Sequence, residues 1–530
     1  MLTHDPNPAA ARLAAHPAAL GAEAIVIGAG LGGLASAMRL GAKGYRVTVI
    51  DRLDMPGGRG SSITQGGHRF DLGPTIVTVP QGLRELWAAC GRDFDRDVDL
   101  RALDPFYEIR WQDGSTFTAR QSTEAMRDEV ARLSPSDLPG YDRFLQDSER
   151  RYWFGFEDLG RRSMHRFADL LRVLPTFARL RADKSVYAHA ASRVKDERLR
   201  FALSFHPLFI GGDPFHVTSM YILVSHLEKE FGVHYAMGGV GAIALAMAGV
   251  IAAQGGQLRL NAEVDEILLD KAGSLAGRAT GVRLADGQVI AADVVVSNAD
   301  AGHTYDRLLR NHPRKRWTPA KLARKRWSMG LFVWYFGTKG TKLKWPDVGH
   351  HTILVGPRYK DHIRDIFIRG RLADDMSLYV HRPTVTDPTA APVGDDTFYA
   401  LSPVPHLGFD NGVDWATQAE PYRQKMQKML EERLLPGLGD HLSEQLVFTP
   451  NSFETRYLSP YGSGFSIEPR ILQSAWFRPH NVSEEARGLY LVGAGTHPGA
   501  GLPGVIASAE VLGKLVPDAP RRPAIRMAAE

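Results

Sequence analysis

The stretch AEAIVIGAGLGGLASAMRLGAKGYRVTVIDR, residues 22–52, narrows the choice of fold more than any other part of the chain. An apolar strand from Ala24 to Ile27 runs into Gly28-Ala29-Gly30-Leu31-Gly32-Gly33, then a helix with small residues on its packed face. A second strand from Arg46 to Ile50 ends at Asp51. Each glycine has a mechanical reason to be there. Gly28 makes the tight turn, Gly30 lets backbone approach a pyrophosphate, and Gly33 lets helix and strand pack closely. Asp51, eighteen residues past Gly33, stands where a carboxylate accepts hydrogen bonds from a ribose. The unit predicts a strand–helix–strand site for an adenine dinucleotide.

FAD and NAD both satisfy that pattern, and the next segment separates them. DMPGGRGSSI, 54–63, places Gly57, Gly58 and Arg59 after the acidic strand, where a turn and a guanidinium meet a second phosphate and the ribityl side of FAD. GHRFDLGPTIVTVP, 67–80, supplies another turn near the flavin through Asp71, Gly73 and Pro74. No second nucleotide fingerprint is found, so electrons are expected to leave for a quinone or oxygen rather than arrive from NADH.

The chain has 530 residues, 44% hydrophobic and 23% charged, enough for a large core in two or three domains. Its single cysteine, Cys90, excludes an intramolecular disulfide and makes the cytoplasm the default location. There is no Cys/His cluster with zinc spacing, and no metal is expected. The most apolar stretch, AIALAMAGVIAA at 242–253, is too short to cross a bilayer. The net charge of +5 is unevenly placed: residues 161–200 carry eleven Arg or Lys against four acids, interleaved with Phe167, Leu170, Leu171, Leu174, Phe177 and Leu180. Residues 307–326 carry nine basic side chains and no acid, with Trp317 and Trp327 nearby. Such segments suit an anionic lipid surface or a solvated face; without a nucleic-acid-binding fold they do not suggest nucleic acid.

Strands and a hairpin at Asp286-Gly287 are expected over 255–300, returning to a buried strand at Val294–Val296. The aromatic runs LFVWYFG, 331–337, and FYALSPVPHLGF, 398–409, read as core strands rather than a ligand wall. Near the end, LYLVGAGTHPGAGLPG, 489–504, is a strand and turn whose prolines rule out a second dinucleotide loop. A helix from about Val505 to Leu515 is expected to aim its positive end at the flavin ring.

These segments, with DERLRFALSFHPLFIGGDPFHVTSMY at 196–221, VVSNAD at 295–300 and FSIEPRILQSAWFRPHN at 465–481, resemble those of bacterial-type phytoene desaturases of the carotenoid oxidoreductase family, closest to those of photosynthetic bacteria. The resemblance covers about 22–516. It implies an α/β fold: a Rossmann-like FAD-binding domain of the amine-oxidase/p-hydroxybenzoate-hydroxylase type, discontinuous in sequence, with a mixed α+β substrate domain and a helical membrane-associated region. The division expected is a loose arm at 1–21; the FAD-binding domain at 22–80, 231–300 and 481–516; the substrate domain at 81–130 and 301–480; the helical membrane or lid region at 131–230; and a flexible tail at 517–530.

The resemblance also implies non-covalent FAD and successive dehydrogenation of 15-cis-phytoene, via phytofluene and zeta-carotene, to all-trans neurosporene, lycopene or both. The enzyme is expected on the cytoplasmic side of the inner membrane, peripherally bound, with homo-oligomers possible. Alternatives are a hydroxy- or methoxycarotenoid desaturase or isomerase, an FAD amine oxidase, and a non-redox prenyl-binding escort protein. Cofactor contacts are expected from Gly28, Gly30, Gly32, Gly33, Asp51, Arg52, Gly57, Gly58, Arg59, Gly73, Pro74, Thr75, Val264, Gly493, Gly495, Thr496, Gly504 and Val505. Ala494 stands where many flavoproteins place an Asp for the ribityl chain. No catalytic residue is assigned; His497 is a candidate for proton transfer or a loop-fixing hydrogen bond, and Asp169 with Arg172 a candidate pair meeting near the cavity.

Overall fold

The computed structural model describes residues 22–271, 277–410 and 412–520. The expected arm at 1–21 and the tail from 521 onward lie outside the described residues. The expected opening unit forms as β1 (Glu23–Ile27), α1 (Leu31–Ala42) and β2 (Arg46–Ile50). These strands sit inside a five-stranded parallel sheet in the order Leu489–Leu491, Val294–Ser297, β1, β2, Gln257–Arg259.

Side chains alternate across that sheet because successive residues of a strand point to opposite faces. Ala24, Val26, Val47, Val49, Val294 and Val296 pack under α1 and the helices Val240–Ala253 and Leu502–Leu515. Ile25, Ile27, Ile50, Val295, Leu489 and Leu491 face the other way, onto the antiparallel sheet Val264–Leu269, Ala279–Leu284, Val289–Ala291. The expected hairpin at Asp286-Gly287 joins the last two of those strands. Burial on both faces is why the parallel strands read as unbroken Val/Ile runs.

A mixed seven-stranded sheet lies beside this unit, in the order Leu442–Phe448, Gly330–Thr338, Asp396–Val404, Leu378–His381, His351–Leu354, Tyr107–Arg110, Thr116–Ala119. The aromatic runs expected as plain core strands divide by the same two-residue period. Phe332, Trp334, Phe336, Phe398 and Ala400 pack on the helix Trp415–Arg433, while Leu331, Val333, Tyr335, Tyr399 and Leu401 face a cavity. Strand and ligand wall are thus the same residues, taken alternately.

Of the helices between residues 123 and 231, Phe167–Arg179 and Leu223–Phe231 reach the cavity, through Phe177 and through Leu223, Val224 and Leu227. Two expected boundaries need correction. Residues 81–98, assigned to the substrate domain, bury Leu83, Leu86, Trp87, Phe94 and Val98 in the core under α1, because an amphipathic helix goes wherever its apolar stripe is matched. Ala475, Trp476 and Phe477, assigned to the same domain, pack instead with Leu159, Met164, Leu170 and Val173 of the helical region.

Candidate active site

The first loop is built by close approach. A Cβ on Gly33 would lie 2.1 Å from the Gly28 carbonyl oxygen, so α1 sits against β1 at a distance that only glycine permits. Asn298, just past the strand Val294–Ser297, lies beneath the turn; Cβ atoms on Gly30, Gly32 or Gly493 would each come within 2.8 Å of its amide group. One asparagine therefore holds both glycine loops. Asp51 accepts from the backbone N–H groups of Ala29 at 2.6 Å and Leu53 at 2.8 Å, so its carboxylate fixes the turn as well as facing the cavity. Gly57 continues the cradle at φ 111°, a left-handed conformation, and its N–H donates to the Ala29 carbonyl at 2.8 Å.

The second loop begins where expected, but its helix starts at Leu502, three residues before Val505. Pro503 occupies the first turn, where a missing N–H breaks no helical bond. Gly504 and Val505 are thus helical residues on the cavity wall. Arg478, fully buried, donates through Nη2 to the carbonyls of Ala494 at 2.6 Å and Ile467 at 3.0 Å. Ser508 Oγ donates to the His497 carbonyl at 2.9 Å, and the Asn481 amide to the same oxygen at 3.0 Å.

This bracing turns Gly495 and Thr496 away from the cavity, against expectation. A Cβ on Gly495 would meet Ser466 Oγ at 2.7 Å and Ala301 at 3.1 Å, and Thr496 is buried outside the cavity wall. Gly33 is likewise a packing residue rather than a wall residue. The other expected contacts line the cavity: Gly28, Gly30, Gly32, Asp51, Arg52, Gly57, Gly58, Arg59, Gly73, Pro74, Thr75, Val264, Gly493, Gly504 and Val505.

His497 takes the second of its two expected roles. Its Nε2–H donates to the carbonyls of Leu159 and Arg162, each at 3.1 Å, tying the terminal loop to the helical region. Burial holds its pKa down at about 4, so the ring is neutral at pH 7. The native state then binds fewer protons than the unfolded chain between the ordinary value of 6.5 and about 4. The contribution is therefore complete above 6.5 and falls with pH by up to about 1.4 kcal/mol per unit. Replacing His497 by Gln is expected to flatten the urea-midpoint profile between pH 6.5 and 4 by one proton's worth; an unchanged slope would show that the ring titrates normally.

Asp169 and Arg172 do not meet. Asp169 accepts from the Arg166 backbone N–H at 3.0 Å, closing the N-terminus of the helix Phe167–Arg179, and Arg172 is exposed; neither lines the cavity. A carboxylate at the third helical position is drawn to the free N–H groups of the first turn.

The cavity, of about 510 Å³, joins two unlike halves. Around the glycine loops, buried polar atoms lack protein partners: Arg59 Nε, Arg456 Nε, Asp300 Oδ2, Arg478 Nε and His497 Nδ1. Arg59 also bonds to Ser459 and lies over Tyr457. Guanidinium Nε–H groups, a carboxylate oxygen and a ring nitrogen left without partners beside a backbone cradle fit a charged, polar-edged dinucleotide, since leaving such atoms unmatched costs free energy. The far half is walled by Phe156, Phe177, Phe209, Met220, Leu223, Val224, Val333 and Leu401, with the tyrosines 335, 379 and 399 between the halves. Burial raises the pKa of all three phenols, which stay neutral; Thr75 Oγ1 bridges Tyr379 and Tyr399 at 2.9 and 3.2 Å.

Sequence reasoning did not single out Asn298, Asp300, Arg456 or Arg478. The segments VVSNAD and FSIEPRILQSAWFRPHN contain three of them and marked the place without the role.

Residues 31–510 match the family described as flavin containing amine oxidoreductase. The phytoene desaturase (neurosporene-forming) of Cereibacter sphaeroides is 72% identical, over 97% of this chain and 99% of that protein. The enzyme of the same description from Rhodobacter capsulatus is 69% identical, over 94% of each chain. Among solved structures, an oxidoreductase from Methanosarcina mazei superposes with a TM-score of 0.58 at 20% identity, over 92% of this chain and 98% of that one. The fold, the dinucleotide cradle with its unmatched polar atoms and these identities lead to one conclusion: the chain belongs to the flavin-containing amine oxidoreductase family, within its phytoene desaturase branch, and its cofactor is FAD.

Proposed function

We propose that this protein dehydrogenates phytoene in successive steps and releases neurosporene as its main product. The observation that carries the reading is the continuity of an apolar-walled space with the dinucleotide cradle in one cavity, in a chain so similar to two neurosporene-forming enzymes. Gly28–Gly32, Asp51 and Arg59 would hold the adenosine and diphosphate of FAD, and the loop Gly493–Val505 its ring. When bound, FAD supplies a hydride acceptor.

The protein's own share is orientation and exclusion of water. Val333, Leu401, Leu331 and the neutral tyrosines present hydrocarbon to hydrocarbon, and they hold one saturated CH2–CH2 unit of the polyene at the junction of the two halves. Loss of hydride beside a conjugated chain makes the neighbouring C–H acidic, so a weak acceptor suffices for the proton. Incubation with phytoene in liposomes, FAD and a quinone, followed by pigment chromatography, tests the reading. Neurosporene is expected; unchanged phytoene would overturn it.

The same proposal places the enzyme on the cytoplasmic surface of the inner membrane, passing electrons to a quinone or to oxygen. Support comes from the helix Phe167–Arg179, whose Phe167, Leu171 and Leu174 form an exposed apolar stripe at i, i+4 and i+7. Leu170 and Val173 face inward, and Phe177 reaches the cavity. Phe167 also meets the Trp476 ring at 5.8 Å between centroids, in a segment whose Ile471 walls the cavity and whose Ile471 and Leu472 are exposed, and the helix end and surface carry the exposed Arg166, Arg172 and Arg179. The second basic segment does not share this role: Trp317 and Trp327 are buried, with Lys321 and Lys325 each 5.2 Å over the Trp317 ring. No helix among the described residues is long and apolar enough to cross a membrane. Leu171→Glu with Leu174→Glu is expected to release the protein from anionic liposomes in flotation while flavin content is kept; undiminished flotation would count against this face.

A further inference from the structure

Three histidines that dehydrogenation does not require converge behind the tyrosine wall. His351 and His381 are direct partners across the antiparallel strands His351–Leu354 and Leu378–His381, which places both side chains on one face of the sheet. His350 precedes the first strand, and all three are buried. His350 Nε2 and His381 Nε2 are 3.1 Å apart, and one ring nitrogen from each histidine falls within a span of 4.8 Å. His351 Nε2 is buried without a partner.

The second nitrogens of two of the rings are engaged. His350 Nδ1 meets Thr386 Oγ1 at 2.6 Å, and His351 Nδ1 meets the Tyr379 hydroxyl at 2.7 Å. Metal-binding imidazoles show this arrangement, in which a second partner fixes the ring and leaves the other nitrogen facing inward.

The geometry points to a buried site for a divalent first-row transition ion of the zinc class, bound by His350, His351 and His381. With bonds of about 2.0–2.1 Å, two nitrogens 3.1 Å apart subtend roughly 100° at a common ion, close to tetrahedral. At tetrahedral angles such bonds place ligand nitrogens about 3.3–3.4 Å apart, so an imidazole at the 4.8 Å limit must swing inward by up to about 1.4 Å. His351 Nε2 has no bond to lose in doing so. The Nε2 atoms of His350 and His381 now share one hydrogen bond, so an entering ion takes its place, and the proton of the donor ring moves to that ring's other nitrogen; at His350 that nitrogen faces Thr386 Oγ1. The ion would clamp two strands together at the base of Tyr379 and so position that ring in the cavity wall.

Untagged, full-length, flavin-loaded protein is stripped with a chelator and dialysed against Zn2+, and bound metal is counted by mass spectrometry. One equivalent per chain is expected, and Co2+ in its place should give the intense visible d–d bands of a tetrahedral site. His350→Gln and His381→Gln should abolish uptake at unchanged flavin content, and Thr386→Val should weaken it about 10- to 100-fold. Absence of stoichiometric uptake by the wild type would leave a hydrogen-bonded histidine stack and overturn the proposal. Flavin-loaded variants that keep the metal would overturn it equally. Should the glutamine variants not fold, X-ray absorption of the wild-type zinc protein must show at least three imidazole ligands; a shell without them refutes the site.

Discussion

Gly33→Val is expected to yield protein without flavin and with a lower urea midpoint, corresponding to a loss of about 3 kcal/mol of stability. A side chain at position 33 would begin 2.1 Å from the Gly28 carbonyl oxygen and 3.1 Å from Asn298 Cβ, and both obstacles are fixed: one is backbone, the other lies under both loops. Relief requires α1 to lift from β1, which moves its N-terminal amides off the diphosphate position and opens the core around Leu34, Ala35 and Met38. Visible flavin absorbance of the purified variant and its denaturation curve measure the two effects. Full flavin content with an unchanged midpoint would mean that the loop is not packed as described.

The second large effect concerns the strand Gly330–Thr338. Val333→Trp places an indole in the apolar half of the cavity and is expected to lower kcat/KM for phytoene by about 100-fold or more, because a displaced substrate carbon loses its alignment with the acceptor. Phe332→Leu, one residue away, trims a side chain packed on Trp415 and Tyr422 in the opposite core. It should cost about 1–2 kcal/mol of stability and leave pigment conversion near normal. Equal losses of activity in both variants would refute the division of this strand into a core face and a substrate face.

Local chemistry explains which features are legible in the sequence. Residues 22–51 form one contiguous unit whose glycines and acid act on neighbours, so their spacing alone predicts strand, turn, helix and Asp51. The terminal loop is less legible because its bracing comes from elsewhere: Arg478 and Asn481 hold Ala494 and His497, and no pattern within 489–504 reports that. Pro503 reads as a barrier to the helix, yet it is a first-turn residue. Asn298 lies 270 positions from Gly28, and the histidine cluster depends on the register between two strands. Such pairings are set by tertiary packing and leave no local trace. The aromatic runs show the intermediate case: their composition indicates buried strands, while the two-residue period divides core from cavity once the sheet's neighbours are known.

The central claim is that one cavity brings a bound FAD and a C40 polyene together. Anaerobic mixing of oxidised, flavin-loaded enzyme with phytoene-loaded liposomes, without added acceptor, tests it most directly. Flavin absorbance should bleach with formation of one new double bond per flavin reduced, as read by chromatography of the quenched pigments. Bleaching by a primary amine and none by phytoene would contradict the account.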